Sequence, residues 1–240
     1  MTEPRQQLLE LLADQSFKLG EFKLSSGGTS DYYIDCRATT LNAEGARLAG
    51  RVVLDKIKNR GWQPQGIGGM TMGADPIVTA VSVLSAQSVQ TRFPARSKDF
   101  DREPFYIHGF LVRKVEKAHG TGQRVEGFQQ AGAKVVIVDD VCTTGASILG
   151  AIEAVRAAGM KVIGIICLVE REEAGGRAKI EKAAGDAEFI AIFKASEVRT
   201  EHLKRKADPA AFAVGAKCEL CDRPAVTNMP ANRCEVHRAG

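Results

Sequence analysis

The run VVIVDDVCTTGAS, Val135 to Ser147, constrains this chain more than any other segment. Four uninterrupted apolar residues, Val135 to Val138, leave no polar face for water, so they read as a strand buried on both sides. Such strands belong to parallel sheets with helices packed on both faces. This one delivers two adjacent carboxylates, Asp139 and Asp140, to its carboxyl end, where open α/β sheets place their ligands. Small and hydroxylated residues follow (Thr143, Thr144, Gly145, Ala146, Ser147). Ile148, Ile152 and Val155 then recur at helical spacing up to Gly159. Amides at such a turn point outward, the helix dipole adds partial positive charge, and the hydroxyls supply further donors. A phosphate fits there. Two carboxylates beside it would repel a polyphosphate unless they served another part of the ligand, either ribose hydroxyls or a divalent cation. The pattern is neither a Walker loop nor a dinucleotide fingerprint, since both Gly-Lys-Ser/Thr and GxGxxG after a strand are missing.

The rest of the chain repeats the alternation. Asn42 is a plausible N-cap for a helix running to Gly61, and Asp75-Pro76 opens another with Ile77, Val81 and Leu84 on one face. Val162 to Val169 and Phe189 to Phe193 read as further buried strands. Two polar stretches, Arg92 to Pro104 and Arg113 to Gly127, interrupt the pattern as expected surface loops. The 240 residues are 44% hydrophobic and 26% charged, with 33 Lys and Arg against 29 Asp and Glu for a formal charge of +4. Disordered and fibrous classes are thereby excluded, and the charge alone does not indicate a nucleic-acid binder. No apolar run approaches the ~20 residues of a membrane span, and the N-terminus lacks the core of a signal peptide. A cytoplasmic location with no membrane partner is expected. The expected division is a large domain over 1–212 and a small tail over 213–240.

The segment Val135 to Ser147 resembles the phosphoribosyl pyrophosphate (PRPP) motif of the type I phosphoribosyltransferases. That resemblance implies an α/β fold with a central, mostly parallel sheet flanked by helices and a small hood. It also implies that Asp139 and Asp140 hold ribose hydroxyls, and that Val141, Cys142, Thr143, Thr144, Gly145, Ala146 and Ser147 complete the PRPP site, with Mg²⁺ accompanying the diphosphate.

Three further segments narrow the acceptor. RKVEKAHGTGQRVEG, Arg113 to Gly127, reads bottom-up either as a solvated charged loop or as a basic flap with glycine hinges. It resembles the RKxxKxHG catalytic loop of the orotate phosphoribosyltransferase family, which implies that Arg113, Lys114, Lys117 and His119 contact PRPP. In that family the loop reaches across a homodimer interface. FKLSSGGTSDYYIDCR, Phe22 to Arg37, resembles the family's hood signature. Ser25 stands where some members carry lysine, and Lys23 is expected on the opposite face. Tyr32 and Tyr33 fit core packing or ligand contact equally. GGMTMGADPI, Gly68 to Ile77, resembles the family's second loop near the pyrophosphate. Arg171 matches the arginine that holds orotate's carboxylate, and Thr143 is the second expected orotate contact. The resemblance covers roughly residues 17 to 195, and a fused decarboxylase is not expected at this length.

The implied reaction joins orotate and PRPP into orotidine 5′-phosphate and pyrophosphate, a step of pyrimidine biosynthesis. Its catalytic residues would be Lys117, His119 and Asp140. Two other readings compete: a phosphoribosyltransferase for another base, and a PRPP-sensing regulator that binds nucleic acid. The tail, Cys218-x₂-Cys221-x₁₂-Cys234-x₂-His237, has the ligand types and pair spacing of a structural zinc site. Family members do not usually carry it. Cys36, Cys142 and Cys167 read as buried small hydrophobes, His108 as a core histidine, and His202 as solvated. Full-length protein purified without chelator is expected to hold stoichiometric zinc by metal analysis; a substoichiometric content would remove the metal from the tail.

Overall fold

The computed structural model describes residues 3–23, 28–92, 106–114 and 124–207. The chain divides into two compact units, Met1–Val198 and Arg199–Gly240. The zinc-site residues Cys218, Cys221, Cys234 and His237, the boundary expected at 212/213, and the flap residues Lys117 and His119 all lie outside the described residues.

Helix α1 (Pro4–Leu11) leads into a two-stranded antiparallel hood, β1 (Phe17–Lys23) and β2 (Thr29–Ile34). Short α2 (Arg37–Thr40) and long α3 (Ala43–Asn59) follow, then β3 (Gly66–Met70), α4 (Asp75–Arg92), β4 (His108–Val112) and β5 (Val125–Gly127). The remainder alternates as β6 (Lys134–Cys142), α5 (Ala146–Ala157), β7 (Lys161–Glu170), α6 (Gly176–Ala184), β8 (Glu188–Lys194) and α7 (Ala195–Ala207). Asn42 caps α3 as read from sequence: its Oδ1 accepts from the amides of Glu44 at 3.0 Å and Gly45 at 3.1 Å, an arrangement worth about 1 kcal/mol.

Among the described residues, the main sheet has the order β5-β4-β3-β6-β7-β8. All its neighbours are parallel except β4 and β5. The apolar run of β6 divides alternately between two cores. Val136 and Val138 face α1, α3 and α4, while Val135 and Ile137 face α5 and α6. β7 does the same, with Ile166 and Leu168 on the first side and Ile165 and Cys167 on the second. A strand that feeds two cores cannot alternate polar and apolar residues, which is why the sequence there is continuously hydrophobic.

Strand order reverses between β3 and β6, because the chain builds outward to β4 on one side and to β7 and β8 on the other. That reversal parts the loops leaving the two central strands and opens a crevice at their carboxyl ends.

Three sequence expectations need correction. The stretch from Arg113 to Gly127 ends in strand β5, where Val125 pairs with Val112 and is buried. His108 is exposed: it opens β4 at the sheet's rim, with its ring stacked on Phe128 at 5.2 Å. His202 is buried at 8% exposure, because it falls one helical turn after buried Val198 and shares its face. The three described cysteines are buried, as expected. Among the described residues no helix is long and apolar enough to cross a membrane.

Candidate active site

A cavity of about 830 Å³ occupies the crevice. Its floor is the end of β6, with Asp139, Asp140 and Val141; Met70 to Gly73 after β3 form one wall, and Thr143 and Ser147 another. Lys23, Asp35 and Arg37 come from the hood side, Arg113 and Lys114 from the end of β4, and Arg171 from the end of β7. The topology thus brings into one cavity most of the described residues that the sequence singled out.

The acid pair is partly withdrawn from water. Asp139 is only 6% exposed. Burial, and then the neighbouring Asp140 carboxylate, push its carboxyl well above the ordinary range. Burial also raises Asp140, partly offset by the Val141 amide and by Arg37. Each carboxylate accepts a following amide: Asp140 N–H donates to Asp139 Oδ1 at 3.1 Å, and Val141 N–H to Asp140 Oδ1 at 2.9 Å. Gly73 is required opposite them, since a Cβ there would stand 2.3 Å from Asp140 Oδ1.

The turn after β6 has the form that anion binding requires. Gly145 holds φ +80°, a left-handed conformation cheap only for glycine, at the N-cap of α5. No side chain caps that end, so the first-turn amides of a 12-residue helix keep their donors for a ligand. Thr143 and Ser147 turn toward the cavity, whereas the Cys142 side chain, 1% exposed, belongs to the core beside α5. Only its backbone is left to a ligand.

Arg171 is fixed from several directions. Its backbone N–H donates to Cys142 O at 2.8 Å, joining the ends of β6 and β7. Its Nε donates to the Tyr32 hydroxyl and to Glu173 Oε1, both at 3.0 Å, and its Nη2 donates to Ser30 Oγ at 3.0 Å. The guanidinium lies 4.5 Å above the Tyr32 ring, which stacks on Phe17. The Tyr32 hydroxyl donates in turn to Glu173. Burial, with that acceptor, pushes the phenol up to about 12. Tyr32 is therefore a core residue that holds Arg171, while Tyr33, 42% exposed, lines the cavity.

Lys23 lines the cavity, against the expectation that it would face away. Residues two apart in a strand share a face, so strand alternation alone did not predict the opposite face for Lys23; Ser25 lies outside the described residues. Asp35, Arg37 and the partners Ser30 and Glu173 were not singled out from sequence. The available signal was an oppositely charged pair two residues apart where the hood signature ends. The two ends of the flap are pinned, with Arg113 N–H donating to Arg124 O at 2.8 Å.

An adjacent acid pair beside an uncapped helix turn, at the switch point of a parallel sheet, is the arrangement expected of a phosphoribosyltransferase. The phosphoribosyl transferase domain profile matches residues 91–203. The orotate phosphoribosyltransferase of Rhodopirellula baltica is 41% identical over 179 residues, covering 73% of this chain and 85% of that one. The crystal structure of the Mycobacterium tuberculosis orotate phosphoribosyltransferase in complex with Fe(III) dicitrate superposes with a TM-score of 0.63 at 32% identity, over 82% of this chain and 99% of that one. The same enzyme in complex with PRPP gives a TM-score of 0.58 at 26% identity, over 82% and 93%. The chain belongs to the orotate phosphoribosyltransferase family.

A carboxyl whose folded pKa is raised stabilises the fold at pH values below its ordinary range, and that contribution is lost as pH rises through the raised value. Asp139→Asn is therefore expected to resist denaturant better than the wild type at neutral pH, with the difference closing below about pH 4. Denaturant midpoints across pH measure it; equal midpoints at neutral pH would contradict the burial argument.

Proposed function

We propose that this cavity transfers the 5-phosphoribosyl group of PRPP to orotate, giving orotidine 5′-phosphate and pyrophosphate, as a cytoplasmic step of pyrimidine biosynthesis. The observation that carries the reading is the adjacent pair of buried Asp139 and half-buried Asp140 leading into the uncapped N-terminus of α5. The 5′-phosphate lies on the amides from Thr143 to Ser147, and the ribose hydroxyls donate to the two carboxylates. Hydrogen bonds to ionised acceptors are the strong kind, so ribose binding offsets part of the penalty of burying the pair. Orotate's carboxylate pairs with Arg171, whose fork is already oriented by Tyr32, Ser30 and Glu173, and Thr143 contacts the base.

Displacement at the anomeric carbon develops positive charge on the ribose ring and negative charge on the departing diphosphate. Asp140 faces the first. Arg113 and Lys114, at the cavity, and Lys117 and His119 from the flap, meet the second. His119 is suited to protonate the leaving oxygen because imidazole titrates near neutrality. Closure of the flap excludes water from a reactive sugar.

The donor set fits a magnesium ion that arrives with the substrate. Three carboxylates line the cavity, Asp35, Asp139 and Asp140, and among the described residues no group of three or more His, Cys, Asp or Glu is close enough to cage a metal. Mg²⁺ then supplies charge neutralisation on the diphosphate. A homodimer, with each flap covering the neighbour's cavity, completes the reading. Exposed Leu41, Met72 and Val83, at 72%, 66% and 51%, are apolar surface that a second copy would cover.

Orotate's ultraviolet absorbance should change on mixing wild-type protein with PRPP and Mg²⁺, and adenine, hypoxanthine or uracil should not be consumed. Lys117→Ala is expected to lower the turnover number by about 10²-fold or more with an unchanged melting temperature. Wild-type turnover in that variant would remove the flap from the chemistry. No turnover of any base by the wild type would favour a PRPP-sensing role instead.

A further inference from the structure

Under the proposed function the ribose and its 5′-phosphate are held at the end of β6 and at α5, whereas the diphosphate's assigned cations all sit on or beside the flap. Position within the fold shows where another must lie. Helix α5 packs on one side of the sheet, and α3 and α4 on the other. A ribose held across Asp139 and Asp140, with its 5′-phosphate at α5, turns its far end toward the turn from Thr71 to Gly73 and toward α2. That turn supplies backbone and a Thr71 hydroxyl but no cation.

Arg37, the first residue of α2, faces this end. It lines the main cavity with Asp139 and Asp140 and also a neighbouring recess with Met72. Its guanidinium is clamped on one carboxylate: Nε donates to Asp35 Oδ1 at 2.8 Å and Nη2 to Asp35 Oδ2 at 2.9 Å. The pair is half-exposed, 43% for Arg37 and 33% for Asp35, so the fork can exchange partners without unpacking anything. Its base, by contrast, is rigid. Cys36, Thr39 and Thr40 are fully buried, and the Thr39 hydroxyl bonds the Ser16 hydroxyl at 2.7 Å. Arg37 also interacts electrostatically with Asp140, so it already lies within reach of the site's charge.

We infer that Arg37 is a ligand of the PRPP diphosphate, held on Asp35 in the free protein and transferred to phosphoryl oxygens when PRPP enters. A planar fork suits the exchange, because carboxylate and phosphate present similar bidentate edges. Asp35 thereby keeps a mobile cation from collapsing onto Asp140, which the ribose needs. The inference rests on the PRPP reading of the cavity and does not depend on the identity of the base.

Direct binding tests it in the full-length protein, with magnesium pyrophosphate and ribose 5-phosphate titrated separately by calorimetry. Arg37→Gln is expected to weaken pyrophosphate by about tenfold or more, the scale of a lost charge-assisted bond. Ribose 5-phosphate, which lacks the diphosphate, should bind as in the wild type and so report an intact fold. Arg37→Lys should recover part of the loss, and Asp35→Asn should leave pyrophosphate bound at least as tightly. Unchanged pyrophosphate affinity in Arg37→Gln, or an equal loss for both ligands, would overturn the inference. If the wild type binds pyrophosphate through Arg37 yet fails to turn over orotate, the base assignment falls and this inference stands.

Discussion

Two adjacent carboxylates at the end of a buried strand, Asp139 almost out of water and Asp140 half-buried, are the constraint around which this protein is arranged. Burying a carboxylate without a paired cation costs several kcal/mol, and among the described residues Asp139 has no ion pair, only the amide of Asp140 as a donor. The strand beneath can bear that penalty because it is anchored on both faces, Val136 and Val138 in one core and Val135 and Ile137 in the other. The turn from Thr71 to Gly73 can approach only because Gly73 has no side chain to meet Asp140. Stability is locally surrendered for a site that its ligand completes.

The cations surrounding the pair are held apart from it. Arg171 is occupied by Tyr32, Glu173 and Ser30, and Arg37 by Asp35. Neither is hydrogen-bonded to Asp139 or Asp140 in the free protein. A site in which these guanidiniums neutralised the acid pair would have to break those bonds before ribose hydroxyls could replace them. Parking each cation on its own local carboxylate leaves the pair open to neutral hydroxyl donors and the cations open to anionic parts of the ligands. The hood contributes Ser30 and Tyr32 to this separation, and the chain that leaves it toward α2 contributes Asp35 and Arg37.

Much of this was legible in the sequence because it rests on local rules. A strand buried on both faces must be continuously apolar, so β6 and β7 announced themselves. An Asn followed by a helical period marks a cap, and Asn42 is one. The phosphate turn was readable because Gly145 sits where β6 meets the first turn of α5. What escaped depended on where elements end in space. His108 lies on an apolar-looking run but at the strand's first position, and His202 looks solvated beside three basic residues yet shares a face with Val198. The Asp35–Arg37 pair reads along the chain as an ordinary surface pair. Only the convergence of hood and sheet places it at the cavity.

Whether the acid pair binds ribose is measured most directly by the PRPP affinity of the double variant Asp139→Asn, Asp140→Asn. Two neutral amides keep the shape of the site and remove its charge. Calorimetric titration with Mg²⁺-PRPP should show affinity weaker by about tenfold or more, in a protein at least as stable as the wild type at neutral pH. Wild-type affinity in that variant would mean that the carboxylates do not hold the ligand, and the central arrangement described for this cavity would be wrong.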